Sequence, residues 1–223
     1  SQTGLNRFDI IGFVVSFEMD YFNILRMLEL GKVVPMAADR GEQDALVIGG
    51  GPCATFNPEP LSLFFDAFII GEGEAVLPGF MDVYHAKKLA GAGRQEILEA
   101  LSHVPGVYVP SVHRPEKGEH QVVRQWQQNL DDFPGETVIY TEDTEFNLHL
   151  VEIARGCGRH CRFCMAGYCF RKPRNRSLEA IEKMLAGAKA SGRRVGLMGA
   201  AISDYPEIDS LCREILGDGL GMS

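Results

Sequence analysis

The sequence predicts an α/β protein, built as a parallel sheet with helices on its faces and then the opening units of a parallel α/β barrel. Three observations carry this. Short apolar, β-branched runs alternate with stretches of helical periodicity over residues 8–103, the pattern of parallel strands joined by crossover helices. The alternation resumes over residues 148–216. A polar stretch of weak periodicity lies between the two.

Residues 8–16, FDIIGFVVS, form the first buried strand. Phe22 to Leu30 places apolar residues at helical spacing, and Gly31 can end that helix. Residues 45–51, ALVIGGG, read as a second buried strand running into glycines, with Pro52 and the NPEP of 57–60 as punctuation and LSLFF (61–65) as a short helix. Residues 67–74, AFIIGEGE, repeat the strand-then-glycine pattern, and 74–90 and 95–103 read as helices, with Pro78 in the first turns of the former. In open parallel sheets ligands sit outside the carboxyl ends of the strands. Gly49, Gly50 and Gly51 therefore share an edge with Gly71, Glu72, Gly73 and Glu74. Two readings stay open for them: a ligand edge, or tight strand-to-helix turns only. Glu74 equally fits a residue that opens a helix.

From 104 to 147 short β-like stretches such as GVYVPSV (106–112) alternate with polar ones such as QWQQNLDDFPGET (125–137). This reads as a connection with a hairpin or two, and Trp126, the single tryptophan, as its packing anchor. Residues 148–154, LHLVEIA, are a strand; Ser177 can cap a helix over 178–190 that Ser191-Gly192 ends. RVGLMG (194–199) is the next strand, and Pro206 to Leu216 a further helix. The expected division is a first domain over 1–113, a connecting segment over 114–147 and a second domain over 148–223.

Composition narrows the function classes. Lys+Arg number 22 against 30 Asp+Glu, for a net charge of −8, with 45% hydrophobic residues. That is too apolar for a disordered chain, and no run reaches the ~18 apolar residues of a membrane span. The acidic total argues against a nucleic-acid binder that works by bulk charge. No charged-then-apolar leader is seen, so secretion is not expected. Four of the six cysteines, Cys157, Cys161, Cys164 and Cys169, cluster, while Cys53 and Cys212 stand alone. Clustering of this kind without a secretion signal reads as metal binding in a reducing, cytoplasmic compartment.

The cluster reads RGCGRHCRFC over 155–164, spaced C-x3-C-x2-C on a loop that follows a strand. Three thiolates on one short loop can each ligate a different iron of a cubane. The fourth iron is then left open, whereas electron carriers close theirs with a fourth cysteine. An open position invites a substrate or cofactor, as in catalytic zinc sites.

With Phe163 directly before the third cysteine, this motif resembles the radical S-adenosylmethionine (radical SAM) superfamily. The resemblance extends to IIGFVVS, VIGGG and GEGE. These are similar to the cobalamin-binding-type domain that precedes the barrel in one branch, whose uncharacterised members CRFCMAGYCFRKPRNRS also resembles. It implies a Rossmann-like, cobalamin-binding-type sheet followed by the first units of a partial, TIM-like α/β barrel. It implies a [4Fe–4S] cluster on Cys157, Cys161 and Cys164, with S-adenosylmethionine on the open iron. Reductive cleavage would give a 5′-deoxyadenosyl radical that takes hydrogen from a substrate. Phe163 is then expected near the adenine, with Arg155, Gly199, Ala200, Ser203 and Asp204 on the cofactor. Ser16, Gly49, Gly50 and Glu72 are expected on the cobalamin side. A reductant such as flavodoxin or ferredoxin is implied as a partner.

Two departures from the family pattern matter. No histidine lies in an Asp-x-His-x-x-Gly setting. Cobalamin then binds without that ligand, or the domain has lost it, or the relevant part lies outside this chain. The Gly-Gly-Glu expected after the second barrel strand reads Gly199-Ala200-Ala201, with Ser203 or Asp204 as substitutes. Two barrel units, against the family's six, point to the N-terminal part of a longer enzyme, inactive as a fragment.

Arg155, Arg159, Arg162, Arg171, Lys172, Arg174 and Arg176 fall within 155–178, where no acid occurs. This local positive field suits the cofactor, an RNA or simply solvent. Cys169 reads as a buried thiol and His160 as a bystander. Two other readings stay open. The four clustered cysteines hold structural zinc on an RNA-contacting module, or they close a cluster used only for electron transfer. Structural zinc more often uses two separated knuckles.

Overall fold

The computed structural model describes residues 3–113, 121–141 and 147–223. The chain divides into two compact units, Ser1–Gln127 and Gln128–Ser223.

In the first unit β1 (Ile10–Val14), β2 (Leu46–Gly50) and β3 (Ala67–Ile69) run parallel, and β4 (Val107–Tyr108) adds antiparallel to β3. β2 and β3 are buried on both faces and are continuous apolar runs, whereas β1, at the sheet's edge and expected to be buried, keeps only Ile11 buried and leaves Val14 exposed. Alternate residues feed opposite cores. Val47 and Phe68 pack with Ile24 and Leu28 of α1 (Asp20–Leu30), whereas Leu46, Ile48 and Ile69 pack with Val76, Phe80 and Leu101 of α3 (Gly73–Leu89) and α4 (Arg94–Ser102).

The carboxyl ends of β1, β2 and β3 share one edge, as expected, and their glycines divide by cause. At Gly49 a Cβ would lie 2.8 Å from Phe68 and 2.9 Å from Phe65. Those two rings stack with centroids 5.0 Å apart, so packing alone requires that glycine. Gly51 (φ 91°) makes the turn into α2 (Pro52–Phe56), where Pro52 takes the first-turn position that suits it. Gly71 (φ 125°) touches the backbone of Gln125, and a Cβ there would meet its carbonyl oxygen at 2.0 Å.

Two local expectations are corrected. LSLFF is not a helix: a 3-10 turn over Glu59–Leu61 ends on its first residue, and the regular helix is α2, just upstream. No hairpin forms among the described residues of 104–147. Val107–Tyr108 pairs with the open edge of β3, and Gln125 with Gly71. Residues 114–120 and 142–146 of the expected connection lie outside the described residues. Trp126 is half-buried.

The sequence gives no sign of a buried ion cluster in this unit. Arg40 Nη1 donates to Asp66 Oδ2 at 2.7 Å, Arg94 Nη2 lies 2.8 Å from Asp66 Oδ1, and the Val47 amide donates to Asp66 Oδ2 at 2.7 Å. Arg40 also donates to the carbonyls of Val34, Pro35 and Phe64, so these buried charges are paired and hydrogen-bonded.

In the second unit β5 (Leu148–Glu152) pairs parallel with β8 (Arg194–Met198) through the crossover helix α6 (Leu178–Ser191), and α7 (Ile208–Gly217) follows. Ser177 caps α6 by accepting from the Ala180 amide, and Gly192 (φ 64°) ends it. Ile153, Ile181, Leu185, Val195, Leu211 and Ile215 form the core. Residues 135–137 run along the other edge of β5, where the Glu152 amide donates to the Gly135 carbonyl at 2.7 Å. Beyond β8 the Val195 amide donates to the Gly221 carbonyl at 2.7 Å, and Met222 bridges Val195 in parallel. The architecture is α/β with parallel pairing; the described residues form no closed barrel. No helix among them is long and apolar enough to cross a membrane.

Candidate functional site

The cysteine loop begins where β5 ends. Because β5 and β8 are parallel, with Glu152 opposite Met198, the segments that follow them emerge at one edge. Residues 153–176 and 199–204 are brought together there.

A short antiparallel ribbon closes the base of the loop: β6 (Ala154–Arg155) pairs with β7 (Arg174–Asn175). Gly156 (φ 88°) follows, with so little room that a Cβ would lie 2.2 Å from the Phe170 carbonyl oxygen. Cys157 and Cys164 are half-buried and Cys161 is exposed. The Arg159 amide donates to Cys157 Sγ at 3.5 Å, and the Cys164 amide to the Cys161 carbonyl at 3.0 Å. Phe163, between Arg162 and Cys164, is 93% exposed. The short helix α5 (Ala166–Cys169) follows and carries Cys169, half-buried. Arg171 Nε donates to the Gly167 carbonyl at 2.7 Å and Nη2 lies 2.6 Å from His160 Nδ1, with its guanidinium 5.0 Å from the Tyr168 ring centre. His160 thus serves the loop's own packing.

The seven cations do not form an open field, because short ion pairs and backbone bonds absorb most of them. Arg155 Nε and Nη2 fork onto Glu152 at 2.8 and 2.9 Å. Arg176 is buried, donating to Glu152 at 2.8 Å and to the carbonyls of Leu130 and Phe133. Arg174 is buried and donates to the Lys172 carbonyl. Arg159 pairs with Asp204 through Nε–Oδ2 at 2.8 Å and a second contact between Nη2 and Oδ1. Arg162 and Lys172 are exposed and carry no ion pair among the described residues.

Burial acts against the charge on Glu152, but hydrogen bonds and charge from Arg155 and Arg176 overcome it and hold the carboxyl below its usual range. Asp204 is likewise lowered, chiefly by its hydrogen bond from Arg159. Burial pushes Tyr205 up to about 12, and its hydroxyl donates to the Arg176 carbonyl at 3.0 Å.

Of the expected cofactor contacts, Gly199, Ala200, Ser203 and Asp204 lie on the segment following β8, with Ala200, Ser203 and Asp204 exposed. The guanidinium of Arg155 is committed to Glu152. In the first unit Ser16 is exposed at the end of β1, next to Val15, whose amide donates to the Gly50 carbonyl at 2.8 Å. Glu72 is buried, and its Oε2 accepts from the Gln127 amide at 2.9 Å. Sequence reasoning passed over Glu152; the one signal was an acid at the end of an apolar strand three residues before Arg155.

Among the described residues no three His, Cys, Asp or Glu side chains stand close enough to hold one metal ion. Zinc draws its thiolates to about 2.3 Å from one centre. Thiolates on separate irons of a cubane sit farther apart. A thiolate-only donor set on one loop, with an amide already aimed at one sulfur, fits an iron–sulfur cluster.

Two family models match the chain: "Radical SAM proteins, N-terminal" over residues 1–110 and "Radical SAM superfamily" over residues 151–221. An uncharacterised protein of Methanocaldococcus jannaschii is 29% identical over 229 residues, covering 98% of this chain and 44% of that protein. The chain thus spans less than half the length of this relative. Its fold is similar to the radical S-adenosylmethionine methyltransferase TsrM of Kitasatospora setae. The structure with tryptophan substrate and the SAM analogue aza-SAM gives a TM-score of 0.52 at 16% identity, covering 94% of this chain and 40% of that one. The structure with cobalamin and a [4Fe–4S] cluster gives 0.53 at 14% identity, covering 94% and 41%.

Proposed function

We propose that this chain, which belongs to the radical SAM superfamily, is the N-terminal part of an enzyme that cleaves S-adenosylmethionine reductively at a [4Fe–4S] cluster to start radical chemistry. The observation that carries the reading is the loop 156–173. It puts Cys157, Cys161 and Cys164 at the carboxyl edge of a parallel strand pair, with Phe163 fully offered to solvent beside them.

In this reading Cys157, Cys161 and Cys164 would hold three irons of a cluster that, when bound and reduced by an external donor, would supply the electron for reductive cleavage of the sulfonium. The chain's own groups do the positioning. Phe163 offers a flat apolar face for the adenine, and exposure at 93% leaves it no packing role of its own. Gly199, Ala200 and Ser203 line the approach from the end of β8, with no large side chain among them. Arg155, with Glu152 and Arg176, anchors the base of the loop rather than reaching the cofactor. In the first unit we assign Ser16 and Gly50 to the cobalamin side, because both lie at the carboxyl edge of β1 and β2. Gly49 is accounted for by Phe65 and Phe68, and Glu72 by Gln127.

Anaerobic reconstitution with iron and sulfide tests the reading. A [4Fe–4S] EPR signal that shifts on adding S-adenosylmethionine is expected, and Cys157→Ala should lose bound iron. Stoichiometric zinc held in air, or a cluster destroyed by Cys169→Ser, would overturn it. Binding of hydroxocobalamin to the chain, followed by its visible spectrum, tests the first unit separately.

A further inference from the structure

We propose that Asp204 is a positioning residue for the cysteine loop: its two-point ion pair with Arg159 holds the Arg159 amide on Cys157 Sγ and so keeps that one sulfur placed for metal. This deepens the reading of the loop as a cluster site, but its first measurement needs no cluster.

The connection runs through bonded groups. Arg159 is two residues beyond Cys157, and its amide donates to Cys157 Sγ at 3.5 Å. Its guanidinium is gripped at both edges by the Asp204 carboxylate, with Nε–Oδ2 at 2.8 Å and Nη2 on Oδ1. A forked pair of this kind fixes the plane of the guanidinium as well as its distance. Asp204 itself is anchored. It closes the 3-10 turn Ile202–Asp204, with its amide donating to the Ala201 carbonyl at 3.0 Å. The next residue, Tyr205, is 2% exposed and bonded to the Arg176 carbonyl. The contacts therefore run without a break from the buried Tyr205 through Asp204 to Arg159, and from Arg159 to one sulfur. Among the described residues Cys161 and Cys164 make no hydrogen bond to this pair; they are tied to each other by the Cys164 amide, which donates to the Cys161 carbonyl. An amide on a ligating sulfur is the kind of outer contact that orients a ligand and tunes its metal.

Both partners are substantially exposed, 58% for Arg159 and 46% for Asp204. Exposed pairs are modest in strength and are screened by salt. The positioning is therefore salt-sensitive, which a merely packed contact would not be.

The test is amide hydrogen exchange by NMR on the metal-free chain. Asp204→Asn is expected to speed exchange at Arg159 by at least about fivefold, as a local opening, with Arg162 in the same loop little changed and Ile181 and Val195 still protected. Raising KCl to about 1 M, where the screening length is ~3 Å, should have the same selective effect on the unmutated chain and none on the variant. Asp204→Glu should restore much of the protection. An unchanged Arg159 amide overturns the proposal. Should Asp204→Asn loosen the whole unit, the salt series on the unmutated chain decides: selective acceleration at Arg159 supports the proposal, and its absence overturns it. On reconstituted protein the variant should also release iron to a chelator several times faster. An unmutated chain that takes up no cluster would defeat the functional reading while leaving the exchange result standing.

Discussion

Arg176 Nη2 donates to Glu152 Oε2 at 2.8 Å from a side chain that is 1% exposed, while Nη1 of the same guanidinium holds the carbonyls of Leu130 and Phe133. One cation thus ties the segment before β5, the end of β5 and the segment after the cysteine loop. Truncating it leaves a carboxylate and two carbonyls short of donors. Arg176→Ala is expected to cost about 3 kcal/mol, and Arg176→Met less because it keeps the volume. Urea unfolding measures both, and equal small losses would show that the guanidinium is not what ties the unit.

Glu152 sets a pH dependence. Its carboxyl is held below the usual range in the folded chain, so the folded state binds its proton less readily than the unfolded one. The stability it adds is present above the ordinary carboxylate range and is lost as pH falls through its lowered value. Acid unfolding of the second unit should show this slope, and Glu152→Gln should flatten it.

Gly187 reverses a common rule. A glycine inside a helix normally gains about 0.5–1 kcal/mol on change to alanine. Here the added Cβ would sit 2.6 Å from His149 Cε1 and 2.7 Å from Glu136 Oε2. His149 is 1% exposed, with Nε2 2.9 Å from the Met184 carbonyl oxygen and Nδ1 on the Tyr140 hydroxyl, so the ring has nowhere to go. Gly187→Ala is expected to destabilise by about 1–3 kcal/mol through overpacking. Gly217→Ala, with open space around it, is the control and should be neutral or stabilising by thermal melt.

Phe163 separates binding from folding. At 93% exposure, Phe163→Ala should change the unfolding free energy by no more than about 0.5 kcal/mol. If the ring stacks on adenine, the same change should weaken S-adenosylmethionine binding to reconstituted protein about tenfold, since such stacking is worth ~1–3 kcal/mol. Equal affinities measured by calorimetry would remove Phe163 from the site.

What could be read from the sequence was local. The parallel strands declared themselves as apolar runs, α6 by Ser177 and Gly192, and the cysteine loop by spacing within ten residues. What could not be read joins distant residues. Arg40, Asp66 and Arg94 meet only once β2, β3 and α4 are packed. Val107–Tyr108 found its partner in the open edge of β3 rather than in a hairpin. The basic run read as a positive field open to cofactor, RNA or solvent because nothing local shows that Glu152 and Asp204, outside the run on either side, pair with Arg155, Arg176 and Arg159. The packing demand on Gly49 could not be read locally because Phe65 and Phe68, which need its space, are far along the chain.

The pairing around β5 gives the second sheet a direction of growth. Its outer flank is already taken by residues 135–137, bonded to both Leu150 and Glu152, whereas Val195 of β8 has begun to recruit Gly221 and Met222 on the far side. Among the described residues the flank of β5 is thus occupied, while the flank of β8 is met only by this short C-terminal segment. The cysteine loop leaves β5 between these two flanks, so of the strands around it β8 is the one whose outer side still has backbone groups to offer beyond Val195.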